Sequence, residues 1–179
     1  LGGGSLDLVV LDDGLCGDHA TLPLGHLRLA EVGGNGSAKS AAFVDKQLST
    51  VPWLEATSGR SFYAVGGAWR AVARIFIEQT DHPLHVVDNF TIGSDEARRL
   101  ADLIAGLSPG TIERIPGIPR RRLESVSAAA AVMRTLIERA APARVVFSGF
   151  GMREGQLLKG LPAELRRQDP LISACIGFA

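Results

Sequence analysis

The sequence predicts an α/β fold, and two observations carry this prediction. Two segments, "RSFYAVGGAWRAVARIFIEQT" and "ARVVFSGFGMREGQLLKGL", each combine a short apolar strand, a glycine turn and a helical pattern. The length of 179 residues and the hydrophobic content of 46% are those of a globular protein with a full core. We therefore expect one domain, with at most a small appendage, in which strands and helices alternate.

The first third of the chain is expected to begin with a strand and a hairpin. Alternating apolar residues predict a strand over residues 6–10, and "LDDGLCG" supplies the Asp-Gly chemistry of a hairpin turn. The run "TLPLGHLRLAEVG" is strand-like, and Gly25 interrupts its alternation as a bulge would. Ser37 is the predicted N-cap of a helix over residues 38–48.

The later elements follow from the same patterns. In chain order we predict a strand (62–65), a glycine turn (66–67), an amphipathic helix (68–79), an extended segment (82–93), a helix capped by Ser94 that ends near Gly106, an irregular Pro- and Gly-rich connection (108–122) and an Ala-rich helix (123–140). A strand, a glycine turn and a helix then complete the second of the two repeated segments.

Three glycine turns, "LGGGS", "VGGAW" and "SGFGM", are each expected to follow a strand, and two of them lead into helices. If the strands are neighbours in one sheet, the turns converge on one edge of that sheet, where α/β folds bind ligands. Backbone N–H groups at a helix N-terminus favour anions. The pattern therefore predicts a nucleotide- or phosphate-binding site.

Composition narrows the class of partner. The formal net charge is zero, which argues against a protein that coats nucleic acid by bulk electrostatics but leaves room for one focused anion site. Polar residues interrupt every apolar run, and the start of the chain does not resemble a secretion signal. We expect a cytoplasmic protein with neither a membrane nor a nucleic acid as partner.

Five motifs resemble one known family. "LGGGSLDLVVL", "TLPLGHLRL", "AVGGAWRAVARI", "HPLHVV" and "VVFSGFGMREGQLL" occur in the order and rough spacing of the exopolyphosphatase/guanosine-pentaphosphate phosphatase (Ppx/GppA) family. Those enzymes belong to the actin/Hsp70/sugar-kinase superfamily, with two ribonuclease-H-like domains and an active site between them. The resemblance implies an actin-like, ribonuclease-H-like domain in which helices flank a mixed sheet.

The resemblance also implies that residues 1–179 form the second domain of a longer enzyme. Family members carry an Asp two residues before the first glycine of the opening loop, and here Leu1 stands between that position and Gly2. They also carry a first domain with the other phosphate loop and the catalytic Glu. We expect that upstream first domain to be a partner of this chain, which alone would hydrolyse little.

The activity implied is removal of terminal phosphates from inorganic polyphosphate or guanosine pentaphosphate. This is an attack by water on a phosphoryl group, and it depends on positioning and charge neutralisation. The expected cofactor is Mg²⁺ or another divalent cation, without an assigned set of ligands. The preferred substrate and the oligomeric state stay open, with a homodimer as one option.

The implied site residues fall into three groups. The expected phosphate-binding residues are Gly2, Gly3, Gly4, Ser5, Gly66 and Gly67. Asp7, where the family usually has Glu, is the expected catalytic carboxylate, with a solvated strand residue as the alternative. The candidate ligand contacts are Arg70, Gly149, Gly151, Arg153 and Arg121. For Arg70 and Arg121 a surface role is the favoured interpretation, and for Glu154 it is a structural role at the start of a helix.

A second function from another class also fits the opening loop. Actin-like domains serve as nucleotide-switched chaperones, sensors or filament subunits, in which nucleotide moves domains and hydrolysis is incidental. The alternative is therefore a nucleotide- or alarmone-binding sensor without turnover. The motif "SGFGMREGQLL" fits the phosphatase family better than the chaperones.

Overall fold

A computed structural model describes residues 1–33, 37–115, 118 and 123–178 of the chain. The chain divides into two compact units, Leu1–Gly149 and Phe150–Ala179. The first unit holds all five strands within the described residues, and the second holds three helices.

The elements of the first unit follow in this order: β1 (Leu6–Asp12), β2 (Leu15–Leu22), α1 (His26–Gly33), α2 (Ala38–Leu48), a 3₁₀ helix (Pro52–Thr57), β3 (Ser61–Ala64), α3 (Gly67–Gln79), β4 (Thr91–Gly93), α4 (Ser94–Ala105), α5 (Pro109–Glu113), α6 (Leu123–Ala140) and β5 (Arg144–Phe147). The predicted N-cap of α2 is confirmed, because the Ser37 side chain accepts a hydrogen bond from the N–H of Ser40.

Strands β1 and β2 form the predicted hairpin as an antiparallel two-stranded sheet. Asp13 and Gly14 connect them with φ values of 49° and 80°. Two consecutive positive φ values match the twist of a two-residue hairpin turn, and Asp-Gly tolerates them well. Val9 pairs with His19 and Leu11 with Cys16, so three steps along β2 oppose two along β1, which marks a bulge in β2.

The larger sheet has three strands in the order β3-β5-β4. Strand β3 runs parallel to β5, with Phe62 opposite Val145, and β4 runs antiparallel to β5, with Ile92 opposite the same Val145. Helices α3 and α4 pack against this sheet. The prediction of an α/β fold with a mixed sheet flanked by helices is confirmed.

Helix α6 lies at the centre of the helical packing. It contacts α1, α2, α3, α4 and α5. Its bounds agree with the predicted helix over residues 123–140. Its Ala residues explain how five other helices can pack against it. Ala128, Ala129 and Ala130 are buried, and their small side chains let helix backbones approach closely.

Aromatic side chains fill the space between the sheet and α3. The ring of Phe147 meets that of Phe76 edge-on at 5.7 Å and stacks on that of Phe90 at 5.8 Å. Trp69 is buried, and its Nε1–H donates to the Ala129 carbonyl at 3.1 Å. Trp69 therefore joins α3 to α6 as a core residue.

The strand-like run predicted after residue 21 is wrong for most of its length. Strand β2 ends at Leu22, and the chain then turns into α1 from His26 onward. Leu29 is buried in α1, whereas Leu27 is 60% exposed. A short apolar run broken by one glycine fits a short helix as well as a strand, so periodicity did not separate the two.

Three further expectations need correction. Of the extended segment predicted over residues 82–93, only Thr91–Gly93 forms a strand. Ser94 is the first residue of α4 rather than its cap, since Gly93 occupies the N-cap position. The predicted end of this helix at Gly106 is confirmed. The prediction that all three glycine turns follow strands is wrong for "LGGGS", which precedes β1, a strand of the smaller sheet, whereas the other two turns follow β3 and β5.

The second unit consists of α7 (Met152–Lys159), α8 (Ala163–Arg166) and α9 (Pro170–Phe178). Gly151 is the N-cap of α7, and its N–H donates to the Glu154 carboxylate at 2.7 Å, which is the half of a capping box that a glycine can form. Among the residues described in both units, no helix combines the length and the apolar character needed to cross a membrane.

Candidate functional site

The first glycine loop, residues 1–5, turns sharply just before β1. The N–H of Gly2 donates to the Ser5 carbonyl at 2.9 Å. The carbonyls of Gly2 and Gly3 accept hydrogen bonds of 3.4 and 3.0 Å from the first two N–H groups of α1. The loop carbonyls are therefore held toward α1.

The N–H groups at the tip of this loop are left available. Within the described part of the chain, the backbone N–H groups of Gly3 and Gly4 donate no hydrogen bond. Successive free N–H groups in a glycine turn are a common means of binding anions. The first glycine loop thus has the carbonyls of Gly2 and Gly3 bonded to α1, and the N–H groups of Gly3 and Gly4 free within the described residues.

Gly25 makes this arrangement possible. A Cβ atom at Gly25 would overlap the backbone of Gly3 and Gly4. The residue interpreted from sequence as a strand bulge instead allows α1 to start directly against the loop. The His26 imidazole adds a contact, with its Nδ1 atom 3.3 Å from the Gly2 carbonyl oxygen.

The second glycine turn lies in contact with the first glycine loop. The Leu1 nitrogen donates to the Val65 carbonyl at 3.0 Å. Gly66 has a φ of 129°, and a Cβ atom there would lie 2.7 Å from the Leu1 carbonyl oxygen. Both the left-handed conformation and the close approach require glycine at this position.

Helix α3 begins at this contact. Its N-cap is Gly66, which has no side chain to satisfy the first N–H groups of the helix. The positive end of the helix dipole therefore lies beside the first glycine loop. Arg70, in the first turns of α3, is half-buried, and its Nη1 donates to the Gly149 carbonyl at 3.3 Å.

The third glycine turn follows β5 and meets a carboxylate that the sequence analysis missed. The Gly149 N–H donates to Asp88 Oδ1 at 2.7 Å. The two residues are 61 positions apart, and only the "DN" pair hinted at a turn there. Asp88 therefore accepts a hydrogen bond from the N–H of Gly149, and Arg70 donates one to its carbonyl, at the carboxyl edge of β3 and β5.

Asp7 lies on β1 with both carboxylate oxygens in hydrogen bonds. Oδ1 accepts from the Thr21 hydroxyl at 2.8 Å, and Oδ2 accepts from the Ser5 hydroxyl at 3.3 Å. Ser5 and Asp7 therefore share one face of the strand, as alternation predicts.

The described residues offer Asp7 as a single carboxylate for a divalent cation. Mg²⁺ binds through one or two carboxylates together with water and substrate phosphates, so Asp7 suits one ligand position. Across residues 1–33, 37–115, 118 and 123–178, no three His, Cys, Asp or Glu side chains gather as they would around a metal ion. This chain's described residues thus fit one ligand and no complete protein cage.

The remaining candidates belong to the second unit or lie outside the described residues. Gly151 belongs to the second unit, and its N–H is bonded to Glu154. This contact is the helix-start role considered for Glu154 from the sequence. Arg153 is exposed in the same unit. Arg121 lies outside the described residues.

The chain matches one protein family over most of its length. The family model described as "Ppx/GppA phosphatase family" matches residues 1–164. No curated protein matches the chain in sequence.

Solved structures share the fold at low sequence identity. A structure of the Aquifex aeolicus PPX-GPPA enzyme is 20% identical with a TM-score of 0.69, covering 87% of this chain and 54% of that one. An exopolyphosphatase from Cytophaga hutchinsonii is 15% identical with a TM-score of 0.72, covering 90% of this chain and 56% of that one. This chain therefore spans a little over half the length of the solved structures it resembles.

Proposed function

The chain belongs to the Ppx/GppA phosphatase family, and from this premise we propose that it is the phosphate-binding domain of a phosphohydrolase. Its substrates in this proposal are the terminal phosphates of inorganic polyphosphate or guanosine pentaphosphate. The solved relatives include an exopolyphosphatase, which supports the first of these substrates.

The observation that carries the proposal is the hydrogen bonding of the first glycine loop. The carbonyls of Gly2 and Gly3 accept hydrogen bonds from α1, while the N–H groups of Gly3 and Gly4 are free within the described residues. A terminal phosphate offers oxygens that accept from such N–H groups, and no side chain at these positions hinders its approach.

Helix α3 and Arg70 extend this site. The uncapped start of α3 lies against the loop and favours negative charge. A guanidinium has five N–H donors, and the contact with Gly149 uses one of them. Arg70 can therefore donate to a second phosphate of the chain while it stays anchored to the third turn.

Hydrolysis requires groups beyond this domain in our proposal. An upstream first domain would supply the carboxylate that orients the attacking water. Asp7 would contribute one ligand to Mg²⁺ or another divalent cation, which supplies charge neutralisation for the phosphoryl group. This arrangement places the reaction between two domains and leaves the isolated chain with binding alone.

Binding to the chain gives the first test. We expect the 179-residue chain to bind medium-chain polyphosphate, and Arg70→Ala to weaken this binding about tenfold through the loss of charge-assisted hydrogen bonds. Arg74→Ala is the matched control, since Arg74 is an exposed arginine one turn along the same helix. Equal losses in the two variants would indicate general charge attraction and contradict the site.

Phosphate release then separates the two candidate functions. With Mg²⁺ present, we expect release from polyphosphate by a protein in which the first domain precedes this chain, and none by this chain alone. Release by this chain alone would contradict the shared site. Binding of ATP or an alarmone without release by either protein would favour the nucleotide sensor.

A further inference from the structure

Asp88 is held at the end of β5 by its neighbours in the chain. The Asn89 N–H donates to the Phe147 carbonyl at 2.9 Å, and the Phe147 N–H donates to the Phe90 carbonyl at 2.9 Å. These bonds continue the antiparallel pairing of β4 and β5 beyond the strands. Asn89 adopts a φ of 59°, a left-handed conformation that Asn tolerates, and so turns the chain at Asp88.

The contact between Asp88 and Gly149 is short and specific to glycine. The Gly149 N–H donates to Asp88 Oδ1 at 2.7 Å, the length of a charge-assisted hydrogen bond. A Cβ atom at Gly149 would lie 2.9 Å from Asp88 Cβ and 3.1 Å from its Oδ1. The carboxylate therefore fixes the third turn through its backbone.

Gly149 transmits this restraint to Arg70. Its carbonyl accepts from Arg70 Nη1 at 3.3 Å, so the acceptor that anchors the guanidinium belongs to the residue that Asp88 holds. Arginine loses considerable side-chain entropy when it is ordered, and a fixed acceptor lowers that cost at the moment of ligand binding.

We propose that Asp88 is a positioning residue for the phosphate site, which acts through Gly149 to hold the Arg70 guanidinium at the carboxyl edge of the sheet. The inference rests on the proposed function, since it assigns Asp88 to the same anion site. Asp88 is itself negative and repels a phosphate chain, so its contribution comes from geometry and not from charge.

Two substitutions separate geometry from charge. Asp88→Asn removes the charge and keeps an oxygen that can accept from Gly149, whereas Asp88→Ala removes both. Because the two variants have the same charge, their ratio isolates the hydrogen bond. We expect Asp88→Ala to bind medium-chain polyphosphate about three- to tenfold more weakly than Asp88→Asn, the usual effect of one unsatisfied partner.

Combining the Asp88 substitutions with Arg70→Ala tests whether Asp88 acts through Arg70. A residue that only stabilised the fold would keep the same ratio of polyphosphate affinities between the two Asp88 variants whether or not Arg70 is present. In an Arg70→Ala background, the ratio between the two Asp88 variants should fall to about one, because coupled residues are not additive. A ratio that survives in that background would overturn the proposal, as would equal affinities of the two variants in the wild-type background.

A measurement without ligand keeps this inference distinct from the proposed function. By NMR, the Arg70 Nε–H signal and the Gly149 amide should stay sharp in Asp88→Asn and broaden in Asp88→Ala. If both signals stay sharp in Asp88→Ala, Asp88 does not position Arg70, whatever the chain binds. If the wild-type chain binds no polyphosphate, the proposed function fails, and with it the assignment of Asp88 to a phosphate site.

Discussion

The first glycine loop and the third glycine turn look alike in sequence and differ in their hydrogen bonds. In the first loop the carbonyls of Gly2 and Gly3 are bonded to α1, and the N–H groups of Gly3 and Gly4 are free within the described residues. In the third turn the N–H of Gly149 is bonded to Asp88 and its carbonyl to Arg70. One turn has donors to offer an anion, and the other anchors a side chain.

The comparison shows that glycine serves two purposes at this edge of the sheet. Around the first loop, Gly25 and Gly66 allow backbone segments to approach within contact distance. In the third turn, Gly149 allows a carboxylate to approach the backbone. A glycine motif therefore indicates close approach, and the partner that approaches decides whether a ligand can bind there.

The largest expected effect comes from crowding the first loop. Gly25→Ala would place a Cβ atom against the backbone of Gly3 and Gly4, which cannot move without displacing α1. We expect a loss of about 3 kcal/mol in the free energy of unfolding, the upper end of the cost of overpacking. Urea denaturation followed by tryptophan fluorescence measures it, because Trp53 and Trp69 both lie in the first unit.

Gly4→Ala is the matched control for that variant. No heavy atom lies within 4 Å of a Cβ placed at Gly4, so stability should change by less than about 0.5 kcal/mol. Equal destabilisation by the two alanines would contradict the packing of α1 against the loop.

A smaller loss is expected from crowding the third turn. Gly149→Ala would bring a Cβ atom to 2.9 Å from Asp88 Cβ, but this neighbour belongs to a side chain on an irregular segment that can shift. We expect destabilisation of about 1–2 kcal/mol in the same denaturation assay. Gly106→Ala is the control: its added Cβ would lie 3.6 Å from the Leu103 carbonyl oxygen, so stability should change little. If Gly149→Ala lowered the free energy of unfolding more than Gly25→Ala, the expectation that the first loop is the more tightly packed of the two would be contradicted.

The local elements of this fold could be predicted from sequence where one strong signal decided them. Helix α6 follows from its Ala-rich composition, and the β1–β2 hairpin follows from Asp13 and Gly14, whose residue types suit positive φ values. The cap of α2 at Ser37 could also be predicted from a single residue type at the start of a helical pattern. In each case the interaction lies within a few residues of the signal.

The start of α1 and the partner of Gly149 depend on contacts between distant parts of the chain. Helix α1 begins at His26 because its first N–H groups meet the carbonyls of the opening loop, more than twenty residues earlier. Asp88 meets Gly149 only after β4 has paired with β5. Neither contact has a local signal, so the glycine motifs indicated a site without indicating which turn has free donors.

The central claim is that the first glycine loop, and not the third turn, offers its N–H groups to phosphate. An NMR titration of the 179-residue chain with tripolyphosphate tests it, with the amide signals of Gly3, Gly4 and Gly149 followed together. We predict that the Gly3 and Gly4 signals move in a saturable way, while that of Gly149 stays close to its starting position because Asp88 holds it. Movement of the Gly149 signal without movement of the Gly3 and Gly4 signals would contradict the account.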